Sequence, residues 1–269
     1  MREEALALAR GKADPAQKLN VLREYLQACV LRSLHECEAF LCLSFVDGTA
    51  LRFLYSLPRF SEDLDFSLET KDGYEPIQWM EKVKRDLTAA GFNVIVSWND
   101  RKTVHVAWLR FAELFKAVDL SGMANQKLSI KLEIDTRPPA GAVTVTDIVN
   151  RHNRIFALRH HDLPSLMAGK VHALLVRAYP KGRDWYDALW YRAQRPPVEP
   201  NLALLQNALD QTEGIGKYDA TNWQEAVRTR LDGLDAKVLR DDVAPFLEHP
   251  EEAQWLEKAH LLSVLGGPS

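Results

Sequence analysis

Between Val46 and Phe66 the chain reads Val-Asp-Gly-Thr-Ala-Leu-Arg-Phe-Leu-Tyr-Ser-Leu-Pro-Arg-Phe-Ser-Glu-Asp-Leu-Asp-Phe. Gly48-Thr49 can open a helix: glycine admits a phosphate close to the backbone, and the Thr49 hydroxyl and the first helical N–H groups face its charge. Asp63 and Asp65 are two residues apart. On a strand they point the same way and can chelate Mg2+ (or Mn2+), hard cations that take carboxylate oxygens. Further on, Leu128, Ile130, Leu132 and Ile134 alternate with Lys131, Glu133 and Asp135. A half-buried strand there would set two carboxylates and a lysine on one side of a sheet. Glu133 or Asp135 would complete a site for one or two divalent ions, with a nucleoside triphosphate as the natural ligand. Ser61, two residues before Asp63, either binds a phosphate or shapes the turn into the strand.

A second set of charged groups lies later in the chain. Asp162, Leu166, Lys170, Ala173 and Arg177 fall on one helical face. Lys170 sits in a largely apolar helix, so an inward ammonium needs a partner, for which a phosphate is suitable. The competing reading is a lysine at the helix rim with its stem over apolar surface. Asp184 and Asp187, at i and i+3, could pair with Lys170 or Arg177 or bind a base or ribose, and Asp184 could instead cap its helix. His160, His161 and His172 show no metal-ligand spacing and read as rim or phosphate-adjacent residues. Trp185, Tyr186, Trp190 and Tyr191 read mainly as helix packing, with one ring available to stack on a base.

These residues need elements to hold them. Asp14-Pro15 reads as an N-cap and first turn of a helix reaching about Leu34. A short helix follows Gly48, residues 64–68 form a strand, and 75–90 an amphipathic helix stopped by Gly91. Strands 92–98 and 103–111 flank the polar tip Asn99-Asp-Arg-Lys102, a hairpin signature. Beyond residue 160 the pattern is helical: 163–177, 184–192, 202–209, 223–231 and a run over 243–265. The expected class is α+β, with a nucleotide-binding α/β domain over 1–155 and a helical domain over 156–269.

With 46% hydrophobic residues, the 269-residue chain can bury a core, which excludes wholesale disorder. A net charge of -3 excludes a globally basic nucleic-acid binder but leaves local basic faces open. Residues 150–195 hold nine Lys/Arg against three acids, a candidate phosphate-facing block, while 196–269 hold six against thirteen. Acids follow Met1 where a signal peptide needs basic and then apolar residues, and Asp47, Gly48 and Arg52 interrupt the most apolar stretch. Cys29, Cys37 and Cys42 are odd in number and read as free thiols in a reducing compartment. A soluble cytoplasmic protein with no membrane partner is expected.

The stretch Asp47-Gly-Thr…Ser61-Glu-Asp-Leu-Asp-Phe66 resembles the first motif of the AbiEii/AbiGii toxin family of nucleotidyltransferases, of the DNA polymerase β-like superfamily, to which the MenA-type toxins belong. Lys131-Leu-Glu-Ile134 is similar to the second motif, residues 162–177 to the third and Arg183-Asp-Trp-Tyr-Asp187 to the fourth, all in the family's order. One departure is Asp47, where the family's Gly-Gly-Thr/Ser has its first glycine. The resemblance implies a metal-dependent enzyme moving NMP from an NTP to an acceptor hydroxyl. Asp63, Asp65 and Glu133 would be catalytic and metal-holding, with Asp135 as the alternative ligand. Lys170 and Asp187 would join catalysis, and Gly48, Thr49, Ser61, Arg177 and Asp184 would contact the nucleotide. It also implies a toxin of a toxin–antitoxin or phage-defence pair with a cognate antitoxin, acting on RNA such as the tRNA 3′ end. A protein or small-molecule acceptor, or a nucleotide-binding module without catalysis, is the alternative.

Overall fold

In the computed structural model, which describes residues 1–120 and 126–265, the chain divides into two compact units. The first comprises Met1–Ser56, Phe60–Pro138 and Val145–His160; the second comprises Leu57–Arg59, Pro139–Thr144 and the described residues from His161 onward.

The first unit begins with α1 (Arg2–Arg10) and α2 (Pro15–Glu36). Asp14 caps α2 by accepting the Gln17 N–H at 2.9 Å, and proline follows in the first turn, as the sequence indicates. Strand β1 (Leu43–Val46) leads into α3 (Asp47–Tyr55), and β2 (Leu64–Leu68) into α4 (Pro76–Ala89). The hairpin of β3 (Val94–Asn99) and β4 (Val104–Phe111) is followed by the single turn α5 (Leu114–Ala117) and by β5 (Leu128–Asp135). A second hairpin, β6 (Thr144–Arg151) and β7 (Arg154–His161), completes a seven-stranded mixed sheet of order β3-β4-β5-β2-β1-β7-β6.

The strands expected at 64–68 and 128–136 are present, the second ending one residue earlier at Asp135, and alternation on β5 is complete. Leu128, Ile130, Leu132 and Ile134 are each at most 1% exposed, while the residues between them are half-exposed. Each such buried side chain stabilises the fold by roughly 1.5–3 kcal/mol. Helices α2 and α4 pack against this apolar side. The other side carries Lys131, Glu133 and Asp135 on β5, and on β3 and β4 a mixture of Ser97, Asn99 and Arg110 with Ile95, Val104, Val106 and Trp108.

The helical unit contains α6 (Leu163–Val176), α7 (Gly182–Ala193), α8 (Leu202–Glu213), α9 (Trp223–Asp232), α10 (Ala236–Val243) and α11 (Lys258–Leu265). Asp162 caps α6 through the Ser165 N–H at 2.9 Å, and Asn201 caps α8. At Gly182 the α7 backbone crosses α10 so closely that a Cβ would lie 1.8 Å from the Leu239 carbonyl oxygen. The continuous run expected over 243–265 is broken. Pro245 and Pro250 cannot donate helical hydrogen bonds, and two 3-10 turns, Ala244–Phe246 and Pro250–Trp255, occupy that segment before α11.

Candidate active site

Strands β2 and β5 are parallel neighbours, in a register that sets Asp65 opposite Glu133 and Ser67 opposite Asp135. Val46 also lies opposite Asp65, and Val106 opposite both Glu133 and Asn99. One row therefore runs Val46–Asp65–Glu133–Val106–Asn99 across five strands. Residues opposite one another share a face, so Asp65 and Glu133 stand side by side, while Leu64 and Phe66 are buried on the other side. Asp63 immediately precedes β2. Glu133 is ion-paired to Lys131 at 2.7 Å. Asp135 accepts the Arg137 N–H at 2.9 Å, which ties its carboxylate to the turn after β5. The carboxylate oxygens of Asp63, Asp65 and Glu133 do not all lie within 4.8 Å of one another. All are hard oxygen donors, so by chemistry they suit Mg2+ or Mn2+.

The backbone that carries Asp63 is gripped from two helices. The Thr49 hydroxyl donates to the Asp63 carbonyl at 2.5 Å, so this buried donor holds the loop rather than facing outward. Gln27 of α2, 1% exposed, donates its amide to the Ser61 and Glu62 carbonyls at 3.1 and 3.0 Å. Three consecutive carbonyls are thus fixed by side chains. Arg23 pairs with Glu62 at 3.3 Å, and Glu24 with Arg52 of α3 at 2.5 Å. His152 lies 3.3 Å from the same Glu24 carboxylate. Burial opposes ionisation of Glu24, but the His152 hydrogen bond and the Arg52 charge outweigh it and hold the carboxyl below the usual glutamate range. Sequence reading missed Gln27 and Glu24, because polar residues on a helix read as its wet face. Periodicity carries no signal for them, since both lie off the apolar Leu22–Leu26–Cys29 face of α2.

Asp47 explains its own departure from glycine. Its backbone is left-handed, with φ 63°, a conformation glycine adopts freely and aspartate tolerates better than most residues. Gly48 is buried behind it at the start of α3.

In the helical unit, Lys170 is 4% exposed. Its ammonium lies 3.1 Å from Asp184 and 3.0 Å from Asp187. The rim reading of this lysine is therefore excluded. Arg177 reaches Asp184 at 3.2 Å. Arg59, 2% exposed, binds Asp187 with two hydrogen bonds of 2.6 and 2.5 Å, a pairing the sequence reading did not anticipate. Asp184 does not cap α7; its carboxylate serves the ion pairs instead. Two buried carboxylates and three cations thus lock the start of α7 to α6 and to the 57–59 segment. Trp185, Tyr186 and Tyr191 are buried, and Tyr186 donates to Glu252.

The basic block at 150–195 is largely engaged internally. Arg154 is buried over the Tyr25 ring, and Arg151 and Arg159 donate to the Arg52 and Leu43 carbonyls. Arg192 pairs with Glu199, and Arg183 lies 3.9 Å from Asp242. His160, expected at a rim, is fully buried 3.0 Å from Asp147. All three cysteines are free, and burial pushes the Cys29 thiol up to about 11. Among the described residues no helix is long and apolar enough to cross a membrane.

Residues 30–258 match the family described as the nucleotidyl transferase AbiEii toxin of type IV toxin–antitoxin systems. The chain belongs to that family. It is a nucleotidyltransferase and a toxin of this type; an NTP is its substrate and an antitoxin its partner. The match begins after Gln27 and Glu24. In fold, the chain is similar to the crystal structure of a proposed nucleotidyltransferase from H. pylori (TM-score 0.50, 20% identity, 91% of this chain and 94% of that one). The Helicobacter pylori protein JHP933 also aligns (TM-score 0.48, 18% identity, 90% of each chain). No curated protein matches significantly in sequence. The α+β architecture, with a mixed sheet and flanking helices, is that of a nucleotidyltransferase.

Proposed function

We propose that this AbiEii-family enzyme transfers NMP from an NTP to the terminal hydroxyl of an RNA, of which a tRNA 3′ end is the leading candidate, in a phage-defence setting. The observation that carries the proposal is the register of Asp65 against Glu133 on the half-exposed side of the sheet, with Asp63 one residue ahead of β2. These three carboxylates would hold Mg2+ or Mn2+. Once bound, the ion supplies positive charge to the phosphoryl oxygens as they gain negative charge.

The protein's own groups perform the rest. The start of α3, at Gly48, would present backbone N–H groups to the triphosphate, and Ser61 would add a hydroxyl. The acceptor oxygen attacks the α-phosphorus in line, the bond from that phosphorus to the β-bridging oxygen breaks, and pyrophosphate leaves with that electron pair. Glu133 takes the acceptor proton, with Lys131 ion-paired beside it. Asp135, tied to its turn, is not the third acid. Thr49 and Gln27 act by holding the Asp63 loop. Lys170, Asp184, Asp187, Arg177 and Arg59 act by fixing the third and fourth motifs in the helical unit.

The test is incubation with each α-labelled NTP, Mg2+ and total RNA or extract. Label is expected in RNA and lost with Asp63→Asn. Label in protein or in a small product would move the acceptor to the alternative class; NTP binding without pyrophosphate release would reject catalysis.

A further inference from the structure

The outer side of β3 and β4 continues the carboxylate row into a shallow hollow of about 470 Å³. It is bordered by Ser97 and Asn99 of β3, Val104, Val106 and Trp108 of β4, and Lys131 of β5. Trp108, which lines it, is 37% exposed. Two cations flank the indole: the Arg110 guanidinium at 5.4 Å and the Lys131 ammonium at 5.9 Å from the ring. Arg110 is braced by Ser97 at 3.1 Å, and Lys102 borders the same hollow from the hairpin tip. An exposed ring with cations beside it is the surface on which bases of a single strand stack while their phosphates are neutralised.

The register gives this surface a direction. Trp108 lies opposite Lys131, two residues along β5 from Glu133, a step of about 7 Å. In the row itself, Val46 and the start of α3 lie on the β1 side of Asp65 and Glu133, whereas Val106 and the hollow lie on the β4 side. The carboxylates therefore separate two binding surfaces. The α3 start suits a triphosphate, and the Trp108 surface, with a ring and three cations, suits a strand.

We propose that Trp108, with Arg110, Lys131 and Lys102, forms the platform on which the terminal nucleotides of a single-stranded RNA acceptor stack. This deepens the proposed transfer to RNA and rests on it. Asp65 and Glu133 border the basic area, so a polyanion gains charge complementarity up to the carboxylates and no further, leaving its end beside them.

The experiment measures fluorescence anisotropy of a short, unstructured, labelled single-stranded RNA on the full chain, with NTP affinity measured in parallel. Trp108→Ala is expected to weaken RNA binding about tenfold, Trp108→Phe to retain most of it, and both to leave NTP affinity unchanged. The side chain is exposed, so melting temperatures should stay close to wild type. Unchanged RNA binding in Trp108→Ala, or no RNA binding by the wild-type chain, overturns the platform. Weakened NTP binding with intact RNA binding also overturns it, by giving Trp108 to the incoming base. Neither arm needs turnover, so loss of the platform stays distinct from failure of the transfer reaction, which incorporation of label reads separately.

Discussion

Glu133 and Asp135 are indistinguishable by alternation, since both fall on the outer side of β5. Register separates them: Glu133 lies against Asp65, and Asp135 lies against Ser67 with one oxygen in a turn. Initial rates of label incorporation should fall at least about a hundredfold in Glu133→Gln and stay within about threefold in Asp135→Asn. The reverse order would give the third acid to Asp135. Gln27 makes a different kind of prediction. Replacing it by Leu leaves the part-buried Ser61 and Glu62 carbonyls without its donor, at a cost of about 1–3 kcal/mol in all. Urea unfolding should register that loss, and a midpoint equal to wild type would contradict the assigned grip. The carboxylates were legible in the sequence because a strand's period of two exposes them. Gln27 was not, because its partners are carbonyls, which every residue has.

At the scale of elements, α2, β2, β5 and α6 follow from caps and periodicity, while β1 and the β6–β7 hairpin do not. Strand β6 is exposed along most of its length and so carries no alternation. On β7 the buried positions include Arg154 and His160 beside Phe156 and Leu158, which masks the pattern. The turn between them uses His152 and Asn153, both left-handed, rather than glycine. Helix pairing in the second unit rests on two features with separate tests. Lys170→Met leaves Asp184 and Asp187 with one cation fewer in a buried site, and about 3–5 kcal/mol of stability should be lost in chemical denaturation. A loss below about 1 kcal/mol would show the network to be dispensable for folding. Gly182→Ala forces α7 away from Leu239 and should lower the melting temperature by several degrees or more. An unchanged melting curve would mean that the crossing relaxes freely.

For the whole molecule, a net charge of -3 coexists with a basic, aromatic sheet surface, and the block at 150–195 that looked most basic in sequence is mostly consumed by internal pairs. Stability should also carry a pH signature of Glu24. Its carboxyl is held below its ordinary value of 4.5, so its contribution is complete above that value and is lost as pH falls through the depressed one. Below about pH 4.5 the wild-type chain should therefore lose stability more steeply than Glu24→Gln; parallel acid limbs would contradict the Arg52 and His152 pairing. The account as a whole depends on Asp65 and Glu133 meeting one cation. Titration of Mn2+ into the full chain, followed by electron paramagnetic resonance, measures that directly. Asp65→Asn and Glu133→Gln should each weaken binding at least about tenfold while Asp135→Asn leaves it close to wild type; wild-type affinity in Asp65→Asn and Glu133→Gln would show that the cation, if bound, is held elsewhere.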